Sequence, residues 1–232
     1  MDTTLAEAPD TGATVETVAR VAVTTADRLA AFRLRYEVYI AEQGKAYPEA
    51  DHDERLLSDE LDPDAAVIVV ESAGQIVGTV RANWFDSGAT RARYSYVFEL
   101  VRFPTFNPAE IAVCSRLAAS MDHRHLRARE MLFETIYERG LDRRTRLRFA
   151  TCATILLRMF RKYGFREYAV PIRDAIVGML HRTVLVLDDL AHLERVHSPF
   201  WLMAQHCHVE PQGRPWLQNI FDDYKARRAD TK

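Results

Sequence analysis

The densest group of side chains able to do chemistry is a basic run at residues 123–129. No acid follows it before Glu130, and five of its seven residues are basic: His123, Arg124, His125, Arg127 and Arg129. Guanidinium groups bind phosphate through paired hydrogen bonds, so the run suits a phosphorylated ligand or an acidic protein surface. A solvated helix start with dispersed charge has the same composition, and the sequence leaves both interpretations open.

Cysteine, histidine and acidic residues occur elsewhere without the spacing of a metal site. Cys114, Cys152 and Cys207 are far apart and lack a CxxC pattern, which argues against a disulfide framework and a zinc site. The DHD run at 51–53 has no second cluster, and isolated carboxylates are usually hydrated, so no metal is predicted. No histidine in the neighbouring sequence would activate Cys114, which we interpret as a small buried residue rather than an acyl-carrying nucleophile.

The composition is that of a globular chain and excludes several classes of protein. Of the 232 residues, 48% are hydrophobic and 28% are charged, with 31 basic and 33 acidic side chains and a formal charge of −2. This balance excludes wholesale disorder and any global attraction to nucleic acid or anionic membranes. The longest uncharged apolar run, Phe149–Leu157, is about half of the ~18 residues that span a bilayer. The acidic N-terminus has no signal-peptide core, so we expect a cytoplasmic protein with a disordered leader at residues 1–15.

Hydrophobic periodicity predicts the elements that hold these groups. Residues 28–44 have helical spacing, with Asp27 as the cap and Gly44 as the stop. Alternating β-branched runs predict strands, and Glu110–Ser120 is the fourth of them, directly before the basic run. The order β-α-β-β-β-α-β-α-β-β indicates an α/β fold in which helices flank one sheet. We predict this domain at residues 16–197 and a helical C-terminal extension at 198–232.

Three stretches of sequence carry a family resemblance. They are FRLRYEVYIAEQG followed by DHDE, VGTVRAN with the later CSRL, and FRKYGFREYAVPIRDAIVGMLHRTVLVLDDLAHLERVHSPF. Together they resemble the bacterial N-acyl amino acid synthases and the related acyl-homoserine-lactone synthases of the GNAT acyltransferase superfamily. The long last block is more similar to the N-acyl amino acid synthases. The resemblance implies a GNAT-like fold with one mixed central sheet, and transfer of a fatty acyl group from a carrier thioester to an amine.

The resemblance also implies where the thioester binds. In the GNAT superfamily the fourth strand splays from the fifth, and its main-chain N–H groups hold the thioester carbonyl. Here this strand is Ile111–Ala119, with Leu117, Ala118 and Ala119 as the donors. The superfamily normally continues into a glycine-rich phosphate loop, where this chain has its basic run, so we take the three arginines of that run as donor-binding residues. We expect no tightly bound cofactor, and an acyl-phosphopantetheine donor carried by acyl carrier protein or coenzyme A.

Proton transfer has few candidates. Glu110 could deprotonate the incoming ammonium through a water, or could equally be a surface carboxylate at the strand edge. The lactone synthases carry a glutamate where this chain has Val113, so that role does not carry over. Phe160 occupies the position of the usual superfamily tyrosine acid, and Tyr163 is the substitute. Ser115 is the third catalytic candidate.

The acceptor side of the site is predicted from arginines and acids within the family-like motifs. A bidentate guanidinium matches an amino-acid carboxylate, and Arg116 is our candidate for that role. Arg35, Arg81 and Arg116 could instead brace the acidic loop at residues 51–53, which we expect for two of them. The residues predicted to bind substrate are Glu42, Asp53, Arg81 and Arg116.

The sequence therefore predicts an N-acyltransferase that moves a medium or long acyl chain to a primary amine, with the α-amino group of an amino acid as the first choice. Alternatives left open are a peptide lysine or ornithine acceptor, an acyl-homoserine-lactone synthase, a conventional acetyltransferase, and a non-catalytic acyl-binding module. Each of the enzymatic alternatives requires two strands to part near Cys114–Ala119 and a channel that leads to the gap between those strands.

Overall fold

A computed structural model of the chain describes residues 16–103, 106–121, 127–206 and 215–229. The predicted leader and the predicted donor-binding residue Arg124 lie outside the described residues, as do His123, His125 and Cys207.

The described residues form nine strands and seven α-helices. The strands are β1 Thr17–Val21, β2 Ala50–Asp51, β3 Leu56–Leu57, β4 Ala66–Ser72, β5 Gln75–Trp84, β6 Ile111–Ala119, β7 Leu147–Ala153, β8 Arg166–Asp174 and β9 Gly178–Val186. The helices are α1 Thr25–Tyr36, α2 Gly88–Tyr94, α3 Ala128–Asp142, α4 Leu157–Lys162, α5 Leu190–Arg195, α6 Pro199–His206 and α7 Pro215–Ala229. None of the described helices is both long and apolar enough to cross a membrane.

Seven strands form one sheet in the order β1-β4-β5-β6-β7-β9-β8, and β2 and β3 form a separate hairpin. Every neighbouring pair in the large sheet is antiparallel except β6 and β7, which run parallel. The predicted mixed central sheet with flanking helices is therefore confirmed.

Both faces of the sheet are covered. Alternate residues of a strand point to opposite faces, and in β7 Ala150 and Cys152 join one hydrophobic cluster while Leu147 and Phe149 join another. The first cluster includes side chains of α3 to α6, and the second includes side chains of α7 and of the segment at residues 85–106. Helix α1 lies against β4 and β5 through a third cluster, which contains Ala31 and Val67.

The start and end of the first helix differ from the prediction. Thr24, not Asp27, is the N-cap, and Asp27 is the third helical residue of a capping box in which each side chain bonds the other's backbone. The helix then loosens into a π-helical segment, Glu37–Glu42, and the chain reverses at Gly44 with φ +63°. Tyr39 and Tyr47 are thereby brought together, with their ring centroids 5.7 Å apart.

Candidate active site

The sheet divides between β6 and β7. These strands pair over only three positions, Ile111–Val113 with Leu147–Phe149. Beyond that point β6 continues along β5, and β7 continues along β9 to Ala153. The two strands therefore part from Cys114 onward, in agreement with the split predicted near Cys114–Ala119.

A bulge in β6 marks the same place. Ser115 is opposite Arg81 and Ala118 is opposite Thr79, so two residues of β6 face the single residue Val80 of β5. Arg116 adopts a left-handed backbone with φ +55°, which is uncommon for a residue other than glycine. A bulge of this kind bends the strand and turns its polar groups out of the ladder, which leaves main-chain groups beside the split.

A cavity of about 530 Å³ occupies the opening, within the usual range of small-molecule sites. Both diverging strands line it, through Cys114–Leu117 of β6 and Thr151–Ala153 of β7. We name two further sides of it. The apolar wall, from α3, α4 and the turn before α4, consists of Leu132, Phe133, Ile136, Leu156 and Phe160; the polar wall consists of Tyr39, Lys45, Tyr47, Glu49 and Asp174.

A chain of buried ion pairs supports the bulge from the α1 side. Arg35 donates to Asp62 at 2.8 Å, and the other oxygen of Asp62 lies 3.1 Å from Arg81. Arg81 also pairs with Asp59, which in turn accepts from Arg116 at 2.8 Å. Arg116 completes the chain by pairing with Glu49. Three arginines thus alternate with three carboxylates, and the formal charges cancel.

This ion-pair chain fixes the protonation of its central carboxylate. Burial alone would raise the pKa of Asp59, but hydrogen bonds from Arg81 and Arg116 hold that pKa well below its ordinary value. Asp59 therefore stays ionised and is a weak base. It locks the arginines in place rather than taking a proton from a substrate.

The two cysteines beside the split are protonated at neutral pH. Burial raises the pKa of Cys114 to about 11 and that of Cys152 to about 12. Because the thiolate is the nucleophilic form of cysteine, neither side chain is activated as a nucleophile.

Four predicted site residues meet at the bulge. Arg81 donates through Nε to the Ser115 hydroxyl at 3.1 Å, and Ser115, Arg116 and Leu117 all line the cavity. Arg35 and Arg81 form ion pairs with Asp59 and Asp62, so the partners predicted at residues 51–53 were wrong. Arg116 is held by the same segment, because one of its terminal nitrogens donates to both Glu49 and Asp59.

The remaining predicted residues lie elsewhere. Ala118 and Ala119 return to regular pairing with β5 and do not line the cavity. Glu110 precedes β6 rather than starting it, and its carboxylate accepts from the Asn107 N–H at 3.3 Å in a capping box. Tyr163 is buried in a stack on Phe133, 4.4 Å between centroids, where burial raises its pKa to about 12.

The other acidic and basic candidates are on the surface. Glu42 and Asp53 are exposed, and neither lines the cavity. Arg127 occupies the N-cap position of α3 without a side-chain capping hydrogen bond. Its side chain is 72% exposed and pairs with Glu130 at 2.6 Å, and Arg129 is also exposed. Neither of these two arginines lines the cavity. Among the described residues, no group of histidine, cysteine and acidic side chains is arranged to hold a metal ion.

Sequence reasoning missed the residues that complete the site. Asp59 and Asp62 come just before the buried strand β4, and their spacing of three places both near one arginine cluster. Carboxylates so close to the buried apolar run at residues 67–70 were an available signal, because a buried acid needs a cationic partner. Lys45 had no comparable signal, since its position depends on the reversal at Gly44.

Comparison with models of known protein families identifies the family of this chain. The family model described as "N-acyl amino acid synthase FeeM" matches residues 30–183, about two thirds of the sequence. The chain belongs to the FeeM family. Members are N-acyltransferases, and the matched residues include the split, the bulge and the ion-pair chain described above. A comparison with curated proteins gave no match.

Solved structures similar to this FeeM-family chain share its fold. FeeM, an N-acyl amino acid synthase from uncultured soil microbes, is 16% identical with a TM-score of 0.62, over 82% of this chain and 99% of its own. BjaI, a CoA-dependent acyl-homoserine lactone synthase, is 18% identical with a TM-score of 0.62, over 80% and 90%. An acyl-CoA N-acyltransferase from Pseudomonas aeruginosa is 15% identical with a TM-score of 0.53, over 74% and 99%. These likenesses support the GNAT-like fold.

Proposed function

We propose that this N-acyltransferase moves a medium or long fatty acyl group from an acyl-phosphopantetheine thioester to the α-amino group of an amino acid. The observation that carries the proposal is the open split between β6 and β7, with a cavity of about 530 Å³ at the bulge. The apolar wall suits an alkyl chain, because each buried CH₂ contributes about 0.8 kcal/mol.

The proposed reaction is a single displacement within a ternary complex. The pantetheine arm lies in the split, and main-chain N–H groups at the bulge, beside Leu117, stabilise the carbonyl oxygen as it becomes an oxyanion. The neutral amine attacks the carbonyl carbon, the new C–N bond forms, and the C–S bond breaks. The excess proton leaves the nitrogen through water, because Glu110 is held in its cap outside the cavity. The thiolate needs no dedicated acid, since a thiol has a pKa of about 8.5, and Phe160 in the apolar wall supplies none.

A direct test offers the protein a choice of substrates. Thioesters of two to sixteen carbons, on acyl carrier protein and on coenzyme A, are incubated with the purified protein and a pool of amino acids, and the products are identified by mass spectrometry. We expect N-acyl amino acids with chains longer than about six carbons. Four other outcomes would contradict the proposal. Acetyl transfer alone would indicate a conventional acetyltransferase, and acylation only of a lysine-containing peptide would indicate a side-chain acceptor. Lactone formation would indicate a homoserine-lactone synthase, and acyl binding without transfer would indicate a non-catalytic module.

We further propose that acyl carrier protein delivers the chain and docks at the start of α3. Arg127 and Arg129 are exposed there, where the helix dipole also favours an acidic partner. Arg127→Glu combined with Arg129→Glu should raise the KM for an acyl carrier protein substrate about tenfold, about 1.4 kcal/mol. The KM for a free acyl-pantetheine thioester should not change.

Arg139→Glu is the matched control, because Arg139 is exposed on the same helix at its opposite end. A KM for the carrier protein that is the same in the double variant, the control and the wild type would contradict docking at this surface.

A further inference from the structure

A lysine of the polar wall is fixed close to the bulge. The left-handed turn at Gly44 lets the Lys45 N–H donate to the Tyr39 carbonyl at 3.0 Å, which closes the π-helical segment. This places the Lys45 ammonium 5.0 Å from the centre of the Tyr39 ring. The Tyr39 hydroxyl in turn donates to the Leu117 carbonyl at 2.7 Å. One aromatic ring therefore separates this cation from the bulge.

The charge of Lys45 has no ion-pair partner in the part of the chain that the structure describes. Among the described residues, no carboxylate lies within ion-pair distance of its Nζ, and its interaction with the Tyr39 ring only partly replaces water. Partial burial lowers the pKa of Lys45, while the nearby charge of Asp174 opposes that change. One carboxylate oxygen of Asp174 accepts hydrogen bonds from the N–H groups of Ile176 and Val177, at 2.8 and 2.7 Å. A half-buried ammonium in a cavity is stabilised by an anionic ligand.

The other cations of the cavity are less suited to that ligand. Arg116 is committed to Glu49 and Asp59, and its guanidinium lies over the Tyr47 ring at 4.7 Å. Arg93 lies at the edge of the cavity and is exposed, so water solvates its charge. Lys45 combines partial burial, an available charge and closeness to Leu117.

We propose that Lys45 binds the α-carboxylate of the acceptor amino acid and so holds the adjacent amine at the bulge. This inference rests on the proposed function and deepens it. A carboxylate next to the reacting nitrogen is present in a free amino acid and absent from the side-chain amine of a peptide lysine or ornithine. Binding of this carboxylate by Lys45 therefore favours free amino acids over peptide side chains as acceptors.

The test compares each amino acid with the amine that lacks its carboxylate. The probes are leucine with isopentylamine, and phenylalanine with phenethylamine, each with a long-chain acyl thioester. Lys45→Met should raise the KM for the amino acids about thirty-fold and leave the KM for the amines unchanged, because only the amino acids lose a charge-assisted bond. Lys45→Arg should restore part of the difference. Lys162→Met is the control, since Lys162 is exposed on α4 and does not line the cavity.

Several outcomes would overturn the inference. An equal rise in KM for amino acids and amines would show that Lys45 does not recognise the carboxylate. A fall in kcat for both, with loss of a pH-dependent limb, would make Lys45 a base instead. Calorimetric titration of leucine and phenylalanine without thioester separates this inference from the proposed function. Binding to the wild type but not to Lys45→Met supports carboxylate binding by Lys45 even if no acyl group is transferred, and no binding to the wild type rejects it.

Discussion

Asp62→Ala should lower the free energy of unfolding by about 3–5 kcal/mol. Asp62 is the shared partner of Arg35 and Arg81, whose side chains are 0% and 1% exposed. Removing it leaves the Arg35 guanidinium without its ion-pair partner in a buried site, where two of its nitrogens already lack a hydrogen-bond partner among the described residues. Denaturant unfolding monitored by circular dichroism measures the change.

Asp53→Ala is the matched control for this prediction. It removes a carboxylate from the same acidic segment, but an exposed one, and such changes usually stay within about 0.5 kcal/mol. Asp62→Asn keeps the shape of the side chain and should be destabilised less than Asp62→Ala, which gives a measurable variant if the alanine variant does not fold. Equal stability of the Asp53 and Asp62 variants would contradict the role of the ion-pair chain.

Leu156→Trp should shorten the acyl chain that the enzyme uses. Leu156 is half-buried in the apolar wall, so an indole there takes space from the cavity. Excluding three methylene groups, at about 0.8 kcal/mol each, lowers kcat/KM for a long-chain thioester about sixty-fold. A short-chain thioester that ends before Leu156 should be used as well as by the wild type. Steady-state kinetics over a series of chain lengths measures this selectivity.

The neighbouring residue provides the control. Ile155 is 88% exposed and does not line the cavity, so Ile155→Trp adds the same indole outside the site. Its chain-length profile should match that of the wild type. A uniform loss at all chain lengths in Leu156→Trp would indicate that the substitution disturbs folding, and an unchanged profile would place the alkyl chain elsewhere.

Much of the fold was predictable because its signals are local. The strands of the large sheet are β-branched runs bounded by turn residues, and their periodicity does not depend on distant contacts. The bulge at Arg116 was not predictable in this way. It arises from the register between β5 and β6. Alternation along an ideal strand would place Ser115 and Arg116 on opposite faces, whereas both contact the Arg81–Asp59 pair.

The candidate site was predictable at the strand and not in the loops. The acidic segment contains many carboxylates, and the path of the chain decides which of them is buried. The structure pairs Glu49, Asp59 and Asp62 with arginines and leaves Asp53 on the surface. Glu110 did carry a local signal. Asn107 stands three residues before it, which is the spacing of a capping box and an alternative to a catalytic role.

The short contact between β6 and β7 has a mechanical consequence. Only three residue pairs join the half of the sheet that carries the bulge to the half formed by β7, β9 and β8. Widening the gap to release a bulky amide therefore disrupts few backbone hydrogen bonds, while each half keeps its own antiparallel ladder. The two halves stay together mainly through the hydrophobic clusters that contain side chains of both, and only to a small extent through the backbone ladder.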